Sequence, residues 1–86
     1  MDWRIEISAT AAKQFSKLGA LEAKRLVSYL RTRVAPDPRR QGKALSGPLG
    51  DLWRYRVGDY RLICEIQDSV LTVLVVKVGN RREVYR

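Results

Sequence analysis

The stretch Trp53-Arg54-Tyr55-Arg56-Val57-Gly58-Asp59-Tyr60-Arg61-Leu62-Ile63-Cys64-Glu65-Ile66 constrains this chain more than any other. Two alternating runs flank Gly58-Asp59, a pair that signals a tight hairpin. Gly58 can take the positive φ that such turns need. With a loop of those two residues, Val57 pairs with Tyr60 and Arg56 faces Arg61. Side chains alternate across a strand, so Trp53, Tyr55 and Val57 share a face with Tyr60, Leu62, Cys64 and Ile66. Arg54, Arg56 and Arg61 share the other. Arginines directly opposite on paired strands repel and are ordinarily avoided. The simplest account of such a patch of cations is an anionic ligand; the alternative is a solvated strand face on a basic protein.

The next turn is Gln67-Asp68-Ser69-Val70. A loop at Asp68-Ser69 would set Ile66 opposite Leu71, Cys64 opposite Val73 and Leu62 opposite Val75, all apolar and all on one face. The strand that follows runs to about Val78, and its other face carries Val70, Thr72, Leu74, Val76 and Val78. A strand apolar on both faces is usually covered on both. A chain of 86 residues offers little cover. The strip of Ile63, Leu74 and Val76 beside the arginines therefore reads as a partner surface, with partial cover by the loop and tail as the alternative.

Upstream, Trp3, Ile5 and Ile7 alternate with polar residues as in a half-buried strand. Ser8 suits a helix N-cap. Ala12, Phe15 and Leu18 form one helical face, and Gly19 is placed to end that helix. Ala23, Leu26, Val27, Leu30 and Val34 recur at helical spacing in a second helix, whose opposite face bears Lys24, Arg25, Arg31 and Arg33; Pro36 and Pro38 stop it. The short gap at Gly19 predicts an antiparallel helix pair. Residues 35–50 hold all three prolines and the basic cluster Arg39, Arg40 and Lys43. They form a connector, pinned by Leu45 and Leu49, whose cations are candidates to touch phosphate. After the last strand, Arg81 can return toward the arginine face with Tyr85 near it.

Composition narrows the partner class. Lys and Arg total 17 against 9 acids, for a formal charge of +8. That favours a polyanion such as nucleic acid, an anionic membrane or an acidic protein. One cysteine, Cys64, rules out an internal disulfide. With no histidine, a typical zinc site is implausible. No apolar run approaches the roughly 18 residues of a membrane span, and the start lacks the plan of a signal peptide. The expectation is one cytoplasmic domain, residues 1–86, without metal or cofactor.

The segment Leu52-Trp53-Arg54-Tyr55-Arg56-Val57-Gly58-Asp59-Tyr60-Arg61-Leu62 and the ending Val78-Gly79-Asn80-Arg81-Arg82-Glu83-Val84-Tyr85 together resemble the RelE branch of the RelE/ParE toxin superfamily. The resemblance spans nearly the whole chain. It implies an α+β fold of strand–helix–helix–three strands, with a helix hairpin packed on a mainly antiparallel four-stranded sheet. It implies the toxin of a type II toxin–antitoxin system: a ribosome-dependent, metal-free endoribonuclease (an mRNA interferase) that cuts mRNA in the A site through attack of the 2′-hydroxyl. The family's arginine on the third strand falls on Arg61, its arginine after the last strand on Arg81, and its closing tyrosine on Tyr85. These are the implied catalytic residues.

Cationic positions on the second strand fall on Arg54 and Arg56, the implied holders of RNA phosphate, with Arg39, Arg40 and Lys43 as further candidates. Better-known members carry lysines at the positions of Arg54 and Arg56. Arginine stays protonated, which leaves the general base unassigned. The implied partners are a cognate acidic, RelB-like antitoxin, the 70S ribosome with mRNA in its A site, and operator DNA only through the antitoxin; no membrane is implied. Other functions on the same fold are a ParE-like inhibitor of DNA gyrase, an inactive toxin relative and a stand-alone RNA-binding module.

Overall fold

A computed structural model describes residues 2–45 and 52–80. Strand β1 (Arg4–Ile7) leads into helices α1 (Ala9–Leu18) and α2 (Ala20–Tyr29), followed by β2 (Lys43–Ala44), β3 (Leu52–Val57), β4 (Tyr60–Gln67) and β5 (Thr72–Asn80). The fold is α+β, as expected, but the sheet has five strands rather than four, in the order β1-β5-β4-β3-β2. β1 runs parallel to β5, and the other neighbours are antiparallel. The added strand, β2, has two residues in a stretch crowded with proline and glycine, too short for alternation to reveal.

Local chemistry sets the helix ends. The Ser8 side chain accepts a hydrogen bond from the Ala11 amide (3.1 Å), as an N-cap should. Gly19 separates the helices with φ of +89°, a value L-residues rarely adopt. Leu26, Leu30 and Val34 are fully buried, as their spacing predicts. In α1 the buried alanine is Ala11, with Ala12 exposed. After Tyr29 the helix widens: the Ala35 amide donates to the Leu30 carbonyl, a five-residue step that carries the chain into Pro36.

The core lies between the helices and one face of the sheet. Phe15, Leu26 and Leu30 pack with Tyr55, Val57, Leu62, Cys64, Val73, Val75 and Val78. Tyr55 is fully buried and donates to the Pro38 carbonyl (2.7 Å), and Trp53 donates to the Gln41 carbonyl (2.6 Å). Two aromatics of β3 thus anchor the connector before β2. Leu45, half-buried, adds a backbone bond to Leu52 (3.0 Å). Leu49 lies outside the described residues.

The first hairpin has the expected register, with Val57 opposite Tyr60 and Arg56 opposite Arg61. Gly58 has φ of +59° and Asp59 is not in that region, the pattern of a type II′ turn.

The second hairpin differs from expectation. Its loop is a helical turn over Asp68–Val70 closed by Leu71 in the left-handed region (φ 47°, ψ 48°). Ile66 therefore meets Val73, and Cys64 meets Val75. A shift of two residues preserves the faces, so Cys64, Ile66, Val73 and Val75 still point into the core. A bulge at Ile63/Cys64 then changes the count by one, pairing Ile63 with Lys77, Leu62 with Val78 and Arg61 with Gly79. The bulge turns Val78 into the core, where it is 2% exposed, rather than onto the outer face.

Candidate nucleic-acid interface

Alternation along β3 and β4 sends Tyr55, Val57, Leu62 and Cys64 into the core, so Arg54, Arg56, Arg61 and Ile63 stand on the opposite face. The register arranges this face in rows. Lys43, Arg54, Ile63 and Lys77 form one row across β2, β3, β4 and β5. Arg56, Arg61 and Gly79 form the next. Neighbouring strands are about 4.8 Å apart, so five cations share two adjacent rows. Arg56 is exposed, Arg54 half-buried and Arg61 only 7% exposed. A guanidinium carries its donors in a planar fork that matches a phosphate. Gly79 adds no side chain beside Arg61.

Lys77 escaped the sequence reading. Simple alternation with Val73 and Val75 would bury it in the core. The bulge moves it beside Ile63. Its positive charge on an apolar strand was the available signal.

The connector cations divide. Arg39 forms a bidentate pair with Asp68, both contacts at 2.8 Å. Arg39 holds the Asp68 carboxyl below its ordinary range by hydrogen bonding. Asp68 follows β4 at the end remote from Arg61, and the strand steps from Arg61 to Gln67 span roughly 20 Å. Arg39 is thus not part of the arginine face. Arg40 is exposed in the turn begun by Asp37. Lys43 joins the face through its pairing with Arg54. Arg81 and Tyr85 lie outside the described residues.

The apolar strip also differs from expectation. Ile63 is 6% exposed, and Leu74 and Val76 are half-buried. Val76 is the extra residue of the bulge, so the three do not form one open alternating strip. Among the described residues, the exposed large apolar side chains are Ile7, Leu21, Val70 and Leu71.

Two depressions flank the face. One, of about 320 Å³, is lined by Tyr29, Gln41, Gly42, Lys43, Arg54 and Arg56. The other, of about 340 Å³, lies where α1 meets the end of β5, with Gln14, Lys17, Tyr60, Lys77 and Asn80 among its walls. There the Gln14 side-chain carbonyl accepts from the Val78 amide (2.7 Å). Burial raises the Tyr55 phenol and the Cys64 thiol well above their ordinary values, so neither is a nucleophile at neutral pH. Among the described residues, no group of three acidic, cysteine or histidine side chains could hold a metal ion. Among the described residues, no helix is long and apolar enough to cross a membrane.

Residues 5–85 match the family model described as the ParE toxin of the type II toxin–antitoxin system parDE. The chain is 31% identical over 84 residues to the toxin RelE of Mycobacterium tuberculosis, covering 98% of this chain and 87% of the relative. The chain belongs to the RelE branch of the RelE/ParE toxin superfamily. A second relative from that organism, the toxin RelG, is 29% identical over 86 residues, covering 100% of this chain and 99% of the relative. The fold of this RelE-branch toxin is similar to that in the RelBE2 toxin–antitoxin complex of Mycobacterium tuberculosis. The TM-score is 0.87 with 26% identity, over 96% of this chain and 95% of that one. The protein is therefore a toxin of a type II toxin–antitoxin system.

Proposed function

We propose that this toxin is a ribosome-dependent endoribonuclease, with the arginine face as its phosphate site. The supporting observation is the clustering of Lys43, Arg54, Arg56, Arg61 and Lys77 in adjacent rows of one sheet face. The family relation supplies the reaction class. The 2′-oxygen attacks the adjacent phosphorus, and the P–O5′ bond breaks. The proton leaves the 2′-hydroxyl, a proton is delivered to the leaving 5′-oxygen, and the products carry a 2′,3′-cyclic phosphate and a 5′-hydroxyl.

Negative charge grows on the phosphoryl oxygens as that bond forms. A fixed guanidinium beside them stabilises the transition state more than the ground state. Arg61 takes this part, and Arg54 and Arg56 hold flanking phosphates. Arg81 would stabilise the leaving side and Tyr85 would orient the 2′-hydroxyl or stack on a base; both roles come from the family resemblance. Placement of the codon by the ribosome contributes much of the rate. We read residues 1–86 as one toxin domain working in the cytoplasm.

The partner is an acidic, RelB-like antitoxin. A similar fold occurs in a solved toxin–antitoxin complex, and a charge of +8 favours an acidic partner. Operator DNA is reached only through that antitoxin.

The test is primer extension on a defined mRNA in a programmed ribosome with an empty A site. The reading predicts cuts within the A-site codon that disappear when the attacking ribose is 2′-deoxy. The ParE description of the matching family model favours a second reading, inhibition of DNA gyrase. Uncut mRNA together with inhibited supercoiling by purified gyrase would establish that reading and overturn the nuclease.

A further inference from the structure

We propose that the depression lined by Tyr29, Gln41, Gly42, Lys43, Arg54 and Arg56 is a nucleotide subsite that takes a purine, adenine in preference, next to the scissile phosphate. The inference rests on the reading of the arginine face as an RNA phosphate site. Its volume of about 320 Å³ lies at the lower end of the range that encloses small ligands, about 300–1,000 Å³.

The depression exists because β2 is short. It pairs only with Trp53 and Arg54 of β3. Beyond Arg54 the β3 edge has no strand beside it among the described residues. Tyr29 reaches this edge from α2, on the helix side. Arg54 and Arg56 reach it from the opposite face, and residues 41–43 close the third side. A ligand here would meet an aromatic ring, an amide side chain and three cations.

The walls are held before any ligand arrives. The Tyr29 ring meets Tyr55 edge-on, with centroids 6.3 Å apart and planes at 64°. The Tyr55 hydroxyl is bound to the Pro38 carbonyl, and the Trp53 indole to the Gln41 carbonyl. Gly42 is packed so closely on β3 that a Cβ there would collide with the Arg54 carbonyl oxygen and approach the Trp53 indole nitrogen to 2.9 Å. The fixed backbone at 41 and 42 limits where the Gln41 amide can go.

Each wall has a chemical use. Aromatic rings stack on bases of any sequence. A carboxamide with one donor and one acceptor matches the paired N6 and N7 of adenine, so Gln41 adds base preference. Lys43, Arg54 and Arg56 take the phosphate. Arg56 faces Arg61 one strand away, about 4.8 Å. A nucleotide seated here would offer its neighbouring phosphate to Arg61.

The test titrates the full-length toxin with each of the four nucleoside 3′,5′-bisphosphates, following backbone amide resonances. The amides of Tyr29, Gln41, Gly42 and Lys43 should shift, with adenosine bound at least about fivefold more tightly than uridine. Gln41→Ala should equalise the four affinities. Lys43→Ala should weaken all four by a similar factor. Tyr29→Ala should weaken all four, and Tyr29→Phe should restore them. Shifts confined to residues around Arg61 and Gly79, or affinities indifferent to base in the wild type, would overturn the subsite. If A-site cleavage persists alongside such a result, the nuclease reading survives it. Adenine-selective shifts at the pocket without A-site cleavage would leave the subsite standing and sink the nuclease.

Discussion

Arg56 and Arg61 are cross-strand partners on the sheet face opposite the core. Directly opposed like charges repel across a sheet, and an anion bound between them lowers that repulsion. Inorganic phosphate should therefore stabilise the toxin. At ten times its Kd the gain is about 1.4 kcal/mol, which shifts the melting temperature by roughly 6–11 °C in a domain of this size. Differential scanning fluorimetry across phosphate concentrations checks it. Arg61→Gln should flatten the response.

Lys77 belongs to the same face because of the bulge. Lys77→Ala should weaken single-stranded RNA binding with little regard to sequence. It should also lower the steepness of the salt dependence by about one phosphate contact, near 0.7 in the log–log slope. Arg39→Ala should change that slope less, because its guanidinium is engaged by Asp68 at the far end of β4. Fluorescence anisotropy at several salt concentrations separates the two.

Gly42 has φ of +71° and lies against β3. Gly42→Ala combines a left-handed alanine with a collision at the Arg54 carbonyl. The expected loss is about 2 kcal/mol or more, read as a lower urea midpoint with unchanged slope.

Alkaline pH should destabilise the fold. In the unfolded chain the Cys64 thiol and Tyr55 phenol ionise near their ordinary values of 9.0 and 10.0. In the folded chain burial raises both. The native state then holds more protons than the unfolded state, and stability falls as pH rises through that window. It is fully present below pH 9. Urea unfolding from pH 7 to 11 should show the decline, and Cys64→Ala should remove the part that begins near pH 9.

Much of this was legible in sequence because it depends on near neighbours. Gly58-Asp59 fixed one register, Ser8 and Gly19 marked helix ends, and Leu26, Leu30 and Val34 showed their buried face. The missing parts depend on distant contacts. Lys43–Ala44 becomes a strand only because Trp53 and Tyr55 anchor the preceding residues through their polar tips. Leu71 adopts a left-handed conformation that leucine does not advertise. The bulge at Ile63/Cys64 exchanges the faces of Lys77 and Val78 with no glycine to mark it. Consequently Arg54, Arg56 and Arg61 could be grouped from alternation alone, but Lys77 and the pocket beside Tyr29 could not.

The most direct test is the single-turnover rate of A-site cleavage by the wild type and by Arg61→Ala on the same programmed ribosomes. Losing a fixed donor to the developing phosphoryl charge should slow cleavage by at least about a hundredfold, or ~2.7–4 kcal/mol, with ribosome binding retained. A folded Arg61→Ala protein that cleaves within about twofold of the wild-type rate would show that the arginine face does not stabilise the transition state.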